Sequence, residues 1–413
     1  MAGSSRDIMD QPAAAEAGRY SYGRPILFLA LASFAAAATT RIMDAILPQL
    51  VLEFDVSIGS VSFVATGYAL AYGGFQLVFG PLGDRYGKYR VILFACVGSA
   101  LATLACAFAA TLTGIAAARV LSGVMAAAIV PLAIAWIGDV VPNAHRQAML
   151  ARFMSSQIMG LLTGQISGGV LGEYFGWRSA FVFIGSIYLF AVVGMTVELI
   201  RNPLTSARAG GAGGGIWRTL DVFGRLLRRP VVRFVLAMVT IEAFAMFGAF
   251  TYVGASLNLR YGFNFATIGL YLGLYCVGGL FYVTQSRRLI AWLGPARLSF
   301  WGTVLVAVAY VALAFAPGHL AYPPAIVVMG VGFYMLHNTL QTMATQMAPD
   351  ARGSAVAIFA TCYFLSQSVG VYIAGQVIDG HGPGPVFLTA GALLLCLGFI
   401  LLARMPEELA RSG

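Results

Sequence analysis

Along this chain, stretches of about twenty apolar residues recur with almost no charge inside them, and no other feature restricts its fold as much. Hydropathy marks twelve such stretches: 25–51, 58–82, 89–108, 112–140, 149–171, 177–200, 231–256, 264–286, 298–316, 322–347, 353–378 and 386–405. A helix of about 20 apolar residues crosses the hydrocarbon core of a bilayer, with every backbone polar group bonded inside it. The stretches lack the in-out alternation of a lipid-facing strand, which excludes a porin-like barrel. Composition excludes a soluble domain. Apolar residues make up 59% of the chain and charged residues only 10%, against about 25% charged in soluble domains. The expected fold class is an all-α membrane protein with twelve transmembrane helices.

The formal net charge of +9 does not point to nucleic acid. Lys88 is the single lysine among 25 lysines and arginines, and the basic residues sit in short clusters between apolar stretches. With the N-terminus inside, every basic residue except Arg41, Arg119, Arg178 and Arg260 falls on the cytoplasmic side. Such an asymmetry sets orientation and predicts that both termini are cytoplasmic. Residues 1–24 are expected to be a polar tail. A cleaved signal peptide is the weaker reading, because Asp7, Asp10 and Glu16 make a poor n-region. The five cysteines lie inside apolar stretches without metal-ligand spacing and read as packing residues.

Residues 201–230 interrupt the apolar pattern. Gly210, Gly211, Gly213, Gly214 and Gly215 precede a basic run from Arg218 to Arg229, which reads as a linker with an interfacial helix. The chain then divides into a tail at 1–24, a six-helix bundle at 25–200, a cytoplasmic linker at 201–230, a second bundle at 231–405 and a tail at 406–413. A short echo, Pro142-Asn143-Ala144-His145-Arg146 against Pro349-Asp350-Ala351-Arg352, suggests that one half repeats the other.

Between the second and third stretches the sequence reads Gly80-Pro81-Leu82-Gly83-Asp84-Arg85-Tyr86-Gly87-Lys88-Tyr89-Arg90. A plain basic turn would need Arg85, Lys88 and Arg90 alone. Asp84 adds a carboxylate able to bond the free N–H groups at a neighbouring helix start or to pair with an arginine. Gly80 and Gly87 permit close approach and a sharp turn. The run resembles the loop 2–3 signature of the major facilitator superfamily, with Gly80, Leu82, Asp84, Arg85, Gly87 and Lys88 matching and Gly83 replacing a small alanine. The six-plus-six plan and the linker extend the resemblance over the whole chain, which implies two six-helix bundles and the major facilitator fold. Arg119 in Ala118-Arg119-Val120-Leu121-Ser122-Gly123, and Gly248-Ala249-Phe250-Thr251-Tyr252, resemble the drug/proton antiporter branch and its sugar-efflux relatives. The fifth stretch departs from that branch. It carries Gly160, Gly164, Gly168 and Gly169 at spacings suited to close helix packing, but Gln165 stands where those antiporters keep a proline.

Ionisable residues well inside the stretches, away from their ends, are Arg41 and Asp44 in the first, Arg119 in the fourth and Glu242 in the seventh, with His337 midway along the tenth. A charge near the bilayer centre costs about 2.5–3.5 kcal/mol on insertion scales, so such residues face protein or a watery cavity. The resemblance implies that helices one, four, seven and ten line the central cavity, and all five residues fall on these helices. Asp44, three residues after Arg41, shares a helical face with it. The pair suits proton coupling, with a permanent structural ion pair as the alternative. Glu242 is equally open between coupling and structure, and Arg119 is open between a structural or gating arginine and a substrate contact. In the tenth stretch Asn338, Gln341, Thr342 and Thr345 form one polar stripe with His337 at its edge, read as cavity lining. Phe244, Phe247, Phe250 and Tyr252 read mainly as packing.

The expected function is secondary active transport of a small organic solute by alternating access, proton-coupled and outward, in a bacterial inner membrane. Asp44, Glu242 and Arg41 are the candidates for proton coupling. Arg119, His337, Asn338 and Gln341 are the candidates for the cavity, and Gly80, Asp84, Arg85, Gly87 and Lys88 for gating. The partners are substrate, protons and lipid, with no nucleic acid, no cofactor and a monomeric state. No GxxxxGK[ST] loop occurs and no nucleophile/base pair stands out, so neither an ATP-driven pump nor an enzyme is expected. The alternatives are a proton-coupled uptake symporter for an anionic or sugar-like substrate, with Arg41 and Arg119 as clamps, and a membrane receptor or scaffold.

Overall fold

A computed structural model describes residues 21–206 and 216–406, the side chains of 216–220 excepted. Most of the expected N-terminal tail, the linker's glycine run and nearly all of the C-terminal tail lie outside the described residues.

Twelve long helical segments carry the fold. They are α1 (Gly23–Phe54), α2 (Ile58–Tyr86), α3 (Lys88–Phe108), α4 (Leu112–Val140), α5 (Asn143–Phe175), α6 (Trp177–Arg201), α7 (Pro230–Tyr261), α8 and α9 (the two parts of Phe265–Ala314, bent at Gly294), α10 (Tyr322–Gln346), α11 (Arg352–His381) and α12 (Pro383–Arg404). Ten helices among the described residues are long and apolar enough to cross a membrane. The kinked α8–α9 run counts once in that number, and the glycine-rich α5 is too polar to count. α4 breaks at Ala127–Ala128 and α7 at Thr251–Tyr252. In the linker, Ile216–Leu227 is helical, and Phe223 and Leu226 bury their side chains.

The halves repeat in backbone detail. Gly87 turns α2 into α3 at φ 93°, and Gly294 turns α8 into α9 at φ 69°. Gly176 joins α5 to α6 at φ 79°, and Gly382 joins α11 to α12 at φ 72°. A side chain at these angles is strained, so the turns require glycine. Ser57 and Asn264 cap α2 and α8 with the same spacing that separates Gly87 from Gly294. The Pro142 and Pro349 echo belongs to this repeat.

α1 to α6 pack as one bundle and α7 to α12 as the other. The bundles meet along two seams, α2 against α11 and α5 against α8. The glycine ridge of α5 serves two partners. Gly160, Gly164 and Gly168 lie on the α1 backbone, while Gly169 meets Gly269 of α8 across the seam. The α2–α11 contacts run from Gly59 beside Asp379 to Gly73 beside Phe364. Both seams therefore close at the end that holds the α1–α2, α5–α6, α7–α8 and α11–α12 turns. At the other end of α10, Thr342 and Thr345 are exposed.

Candidate functional site

Arg41 and Asp44 stand one turn apart on α1, with Nη1 3.5 Å from Oδ2 and only 5% and 3% of the residues exposed. Both bundles surround them. The Arg41 guanidinium sits over the Phe247 ring of α7, 3.7 Å from its centroid, and beside Tyr363 of α11. Thr251, at the break in α7, and Gln165 of α5 flank the Asp44 carboxylate. Beyond the break, a side chain on Gly254 would meet the Asp44 carbonyl at 2.9 Å, so glycine lets α7 lie against α1 here. Among the described residues Arg41 Nη1 and Asp44 Oδ2 face each other as an ion pair without forming a close hydrogen bond, and Gln165 Nε2 is buried without one. Buried polar atoms left this way are costly, which makes the pair sensitive to a displaced neighbour.

A second pair lies wholly in the α7–α12 bundle. Glu242 on α7 is fully buried, and His337 Nδ1 lies 3.1 and 3.3 Å from its two carboxylate oxygens. The His337 ring stacks on Phe333 at 5.0 Å and lies 5.0 Å from the Tyr363 ring. Tyr363 thus stands between the Glu242–His337 pair and Arg41 of the opposite bundle.

The remaining candidates occupy different positions. Arg119 is buried inside its own bundle, where Nη1 donates to the Thr39 carbonyl at 2.7 Å and the guanidinium covers the Tyr68 ring at 4.3 Å. That carbonyl is two residues before Arg41, so Arg119 braces the helix carrying the first pair. Asn338 and Gln341 are half-buried on the stripe that continues to the exposed Thr342 and Thr345. Of the gating run, Lys88 pairs with Asp139 and lies 3.9 Å from Asp84, all within one bundle. Arg85 lies over the Tyr86 ring at 5.1 Å, and a side chain on Gly80 would meet nothing within 4 Å. Asp84 is half-exposed and joined to no helix of the other bundle by a described ion pair.

Sequence reasoning did not find Thr251, Phe247 and Tyr363 as neighbours of Arg41 and Asp44, and it treated Glu242 and His337 separately. Gln165 carried a signal, since an amide in a glycine ridge needs a polar partner in a membrane.

Twelve spanning segments in two repeated bundles, with the buried Arg41–Asp44 pair between them, define a polytopic helical carrier. Comparisons with known proteins agree. The profile of the Major Facilitator Superfamily matches residues 29–371, and the chain belongs to that superfamily of membrane transporters. It is 25% identical over 378 residues to the uncharacterized MFS-type transporter YwfA of Bacillus subtilis, covering 91% of this chain and 90% of that one. It is 21% identical over 365 residues to the quinolone resistance protein NorA of Staphylococcus aureus, covering 87% and 91%. The crystal structure of a D-xylose-proton symporter superposes with a TM-score of 0.75 at 14% identity, covering 94% of this chain and 99% of that one.

Proposed function

We propose that this transporter exports a small organic solute in exchange for protons, with Asp44, Arg41 and Glu242 as the coupling groups. The observation that carries this reading is the buried Arg41–Asp44 pair on α1, surrounded by α5, α7 and α11. Its neighbours come from both bundles, so moving the bundles changes the surroundings of the carboxylate. A proton on Asp44 and closure of the seams are then linked, which alternating access requires. His337, Asn338, Gln341 and the bracing Arg119 are proposed to form the substrate cavity. Gly80, Asp84, Arg85, Gly87 and Lys88 are proposed to latch the end that is open here.

The arginine distribution supports both termini lying in the cytoplasm of a bacterium, the chain working as a monomer in the inner membrane. The conformation described above is then inward-facing. The likeness to NorA favours export. Uptake of an anionic or sugar-like solute is the second reading, favoured by Arg41 Nη1, a buried cationic donor whose contact to Asp44 at 3.5 Å is loose enough for an anion to compete. Proteoliposomes with an imposed pH gradient separate the two. Export predicts that an inside-acidic gradient drives accumulation by inside-out transporters, uptake predicts accumulation driven by an outside-acidic gradient through right-side-out ones, and indifference to pH sinks both.

A further inference from the structure

The two seams are fastened at the same end by the same kind of contact. Across α2–α11, both carboxylate oxygens of Asp379 accept from the Gly59 N–H at 3.1 Å. Across α5–α8, Oε2 of Glu173 accepts from the Phe265 N–H at 2.8 Å. Each acid stands two residues before the end of its helix, at His381 and Phe175, and each acceptor pairs with the first turn of a helix in the other bundle. The arrangement is reciprocal. An acid of the second bundle grips the first, and an acid of the first grips the second.

The first N–H groups of a helix have no partner inside it and carry partial positive charge, which favours a carboxylate there. α2 and α8 already have caps of their own. Ser57 Oγ accepts from the Ser60 N–H at 3.1 Å, and Asn264 Oδ1 accepts from the Thr267 N–H at 2.9 Å. Asp379 and Glu173 take N–H groups that these caps leave over, so neither helix depends on them to form. Glycines bring the helices close enough for the acids to reach. A side chain on Gly59 would meet the Gly375 carbonyl at 3.1 Å, and one on Gly169 would meet the Gly269 Cα at 2.7 Å. These carboxylates therefore contribute only while the bundles are closed at this end.

We infer that Asp379 and Glu173 are paired clasps, positioning residues that set the balance between the state closed at this end and the state open at it. The inference rests on the alternating-access part of the reading above and not on which ion or solute is carried. Both acids are exposed, so each clasp shifts the balance by about two- to fivefold, the range of an exposed carboxylate at a helix N-terminus.

Hydrogen exchange on the full chain in detergent tests this with Asp379→Asn, Glu173→Gln and the double variant. The informative segment is the one that the altered residue does not touch. Asp379→Asn is expected to speed exchange two- to fivefold at the start of α8, and Glu173→Gln at the start of α2, because either loss opens both seams. Asp379→Glu, which keeps the charge, is expected to restore most of the protection. Faster exchange confined to the seam of the altered residue shows local caps only and overturns the inference, as does no change at either seam. A variant that fails to fold overturns it too, because a clasp of one state is dispensable for folding. The measurement needs no substrate and no gradient, so unchanged remote exchange with intact proton-driven transport removes the clasps alone. Faster remote exchange with pH-indifferent transport removes the coupling reading alone.

Discussion

His337 holds Glu242 across two helices, with Nδ1 of the imidazole 3.1 Å from Oε2 of a carboxylate that is fully buried. At that separation the nitrogen and the oxygen cannot both be bare acceptors, so one of them carries a proton. The pair is joined through that hydrogen bond, and Tyr363 stands between it and the Arg41–Asp44 pair of the opposite bundle.

Removing one member of the Glu242–His337 pair should therefore have unequal effects. His337→Leu leaves a carboxylate buried without a partner, and a loss of about 3 kcal/mol is expected. Glu242→Gln retains a hydrogen-bonding group of the same shape, and a loss of about 1 kcal/mol is expected. The combination Glu242→Leu with His337→Leu should recover much of the difference. Unfolding of the three variants in one detergent gives the comparison, and equal losses for the two single changes would rule out the pair as described.

The spans were legible because lipid demands about twenty apolar residues wherever a helix crosses it. The turn at Gly87 was legible as well, since its positive φ needs glycine. Ends were less so. α5 begins at Asn143 and ends at Phe175, outside the expected 149–171, because a helix continues past the apolar zone wherever polar residues can meet water. The ionisable residues were visible by their presence alone, yet their partners were not. Spacing along one helix shows that Arg41 and Asp44 share a face, but it does not show which of the other helices that face meets. Glu242 and His337 are 95 residues apart, and only the packing of α7 against α10 joins them. Asp84 was read as a carboxylate able to bond a neighbouring helix start or to pair with an arginine, and in this conformation its described ion pair is to Lys88.

Two glycines of α5 should give different phenotypes when a methyl group is added. Gly164 faces α1 inside its bundle, where a Cβ would meet the Ala38 Cα at 2.8 Å. Gly164→Ala is expected to destabilise the bundle by about 1–3 kcal/mol through overpacking. Gly169 faces Gly269 across the seam, so Gly169→Ala should leave the melting temperature nearly unchanged and disfavour the closed seam. Melting curves together with spin-label distances between Ala110 and Leu320, one on each bundle, decide it. A large loss of stability in Gly169→Ala with unchanged distances would contradict the division of the ridge.

Asp84→Asn should act through the conformation that is not seen here. Asp84 is half-exposed and contacts its own bundle, so the substitution removes little from this state. If the latch forms when the opposite end closes, losing the charge weakens only that state. The expected result is a population shifted further toward the conformation described here, with steeply reduced transport and nearly unchanged ligand binding in detergent. Normal transport with unchanged distances between the bundles would dismiss the latch.

Asp44→Asn is the sharpest test of the site. The amide mimics the protonated acid and is cheaper than a carboxylate inside a bilayer, so the protein should insert and fold. Its neighbours Gln165 and Thr251 can bond an amide as well as an acid. If Asp44 couples protons to transport, the variant should bind substrate without pH dependence and lose gradient-driven movement. Exchange of labelled for unlabelled substrate should persist, because exchange requires no net proton transfer. If the pair is only structural, the variant leaves Arg41 buried beside Phe247 without its counter-charge. Stability and every activity should then fall together, by about 3–5 kcal/mol in the stability measurement. Melting temperature, exchange and gradient-driven transport measured on one preparation separate the two. Full proton-driven transport by Asp44→Asn would remove Asp44 from the coupling path and leave Glu242, held by His337, as the acid to test next.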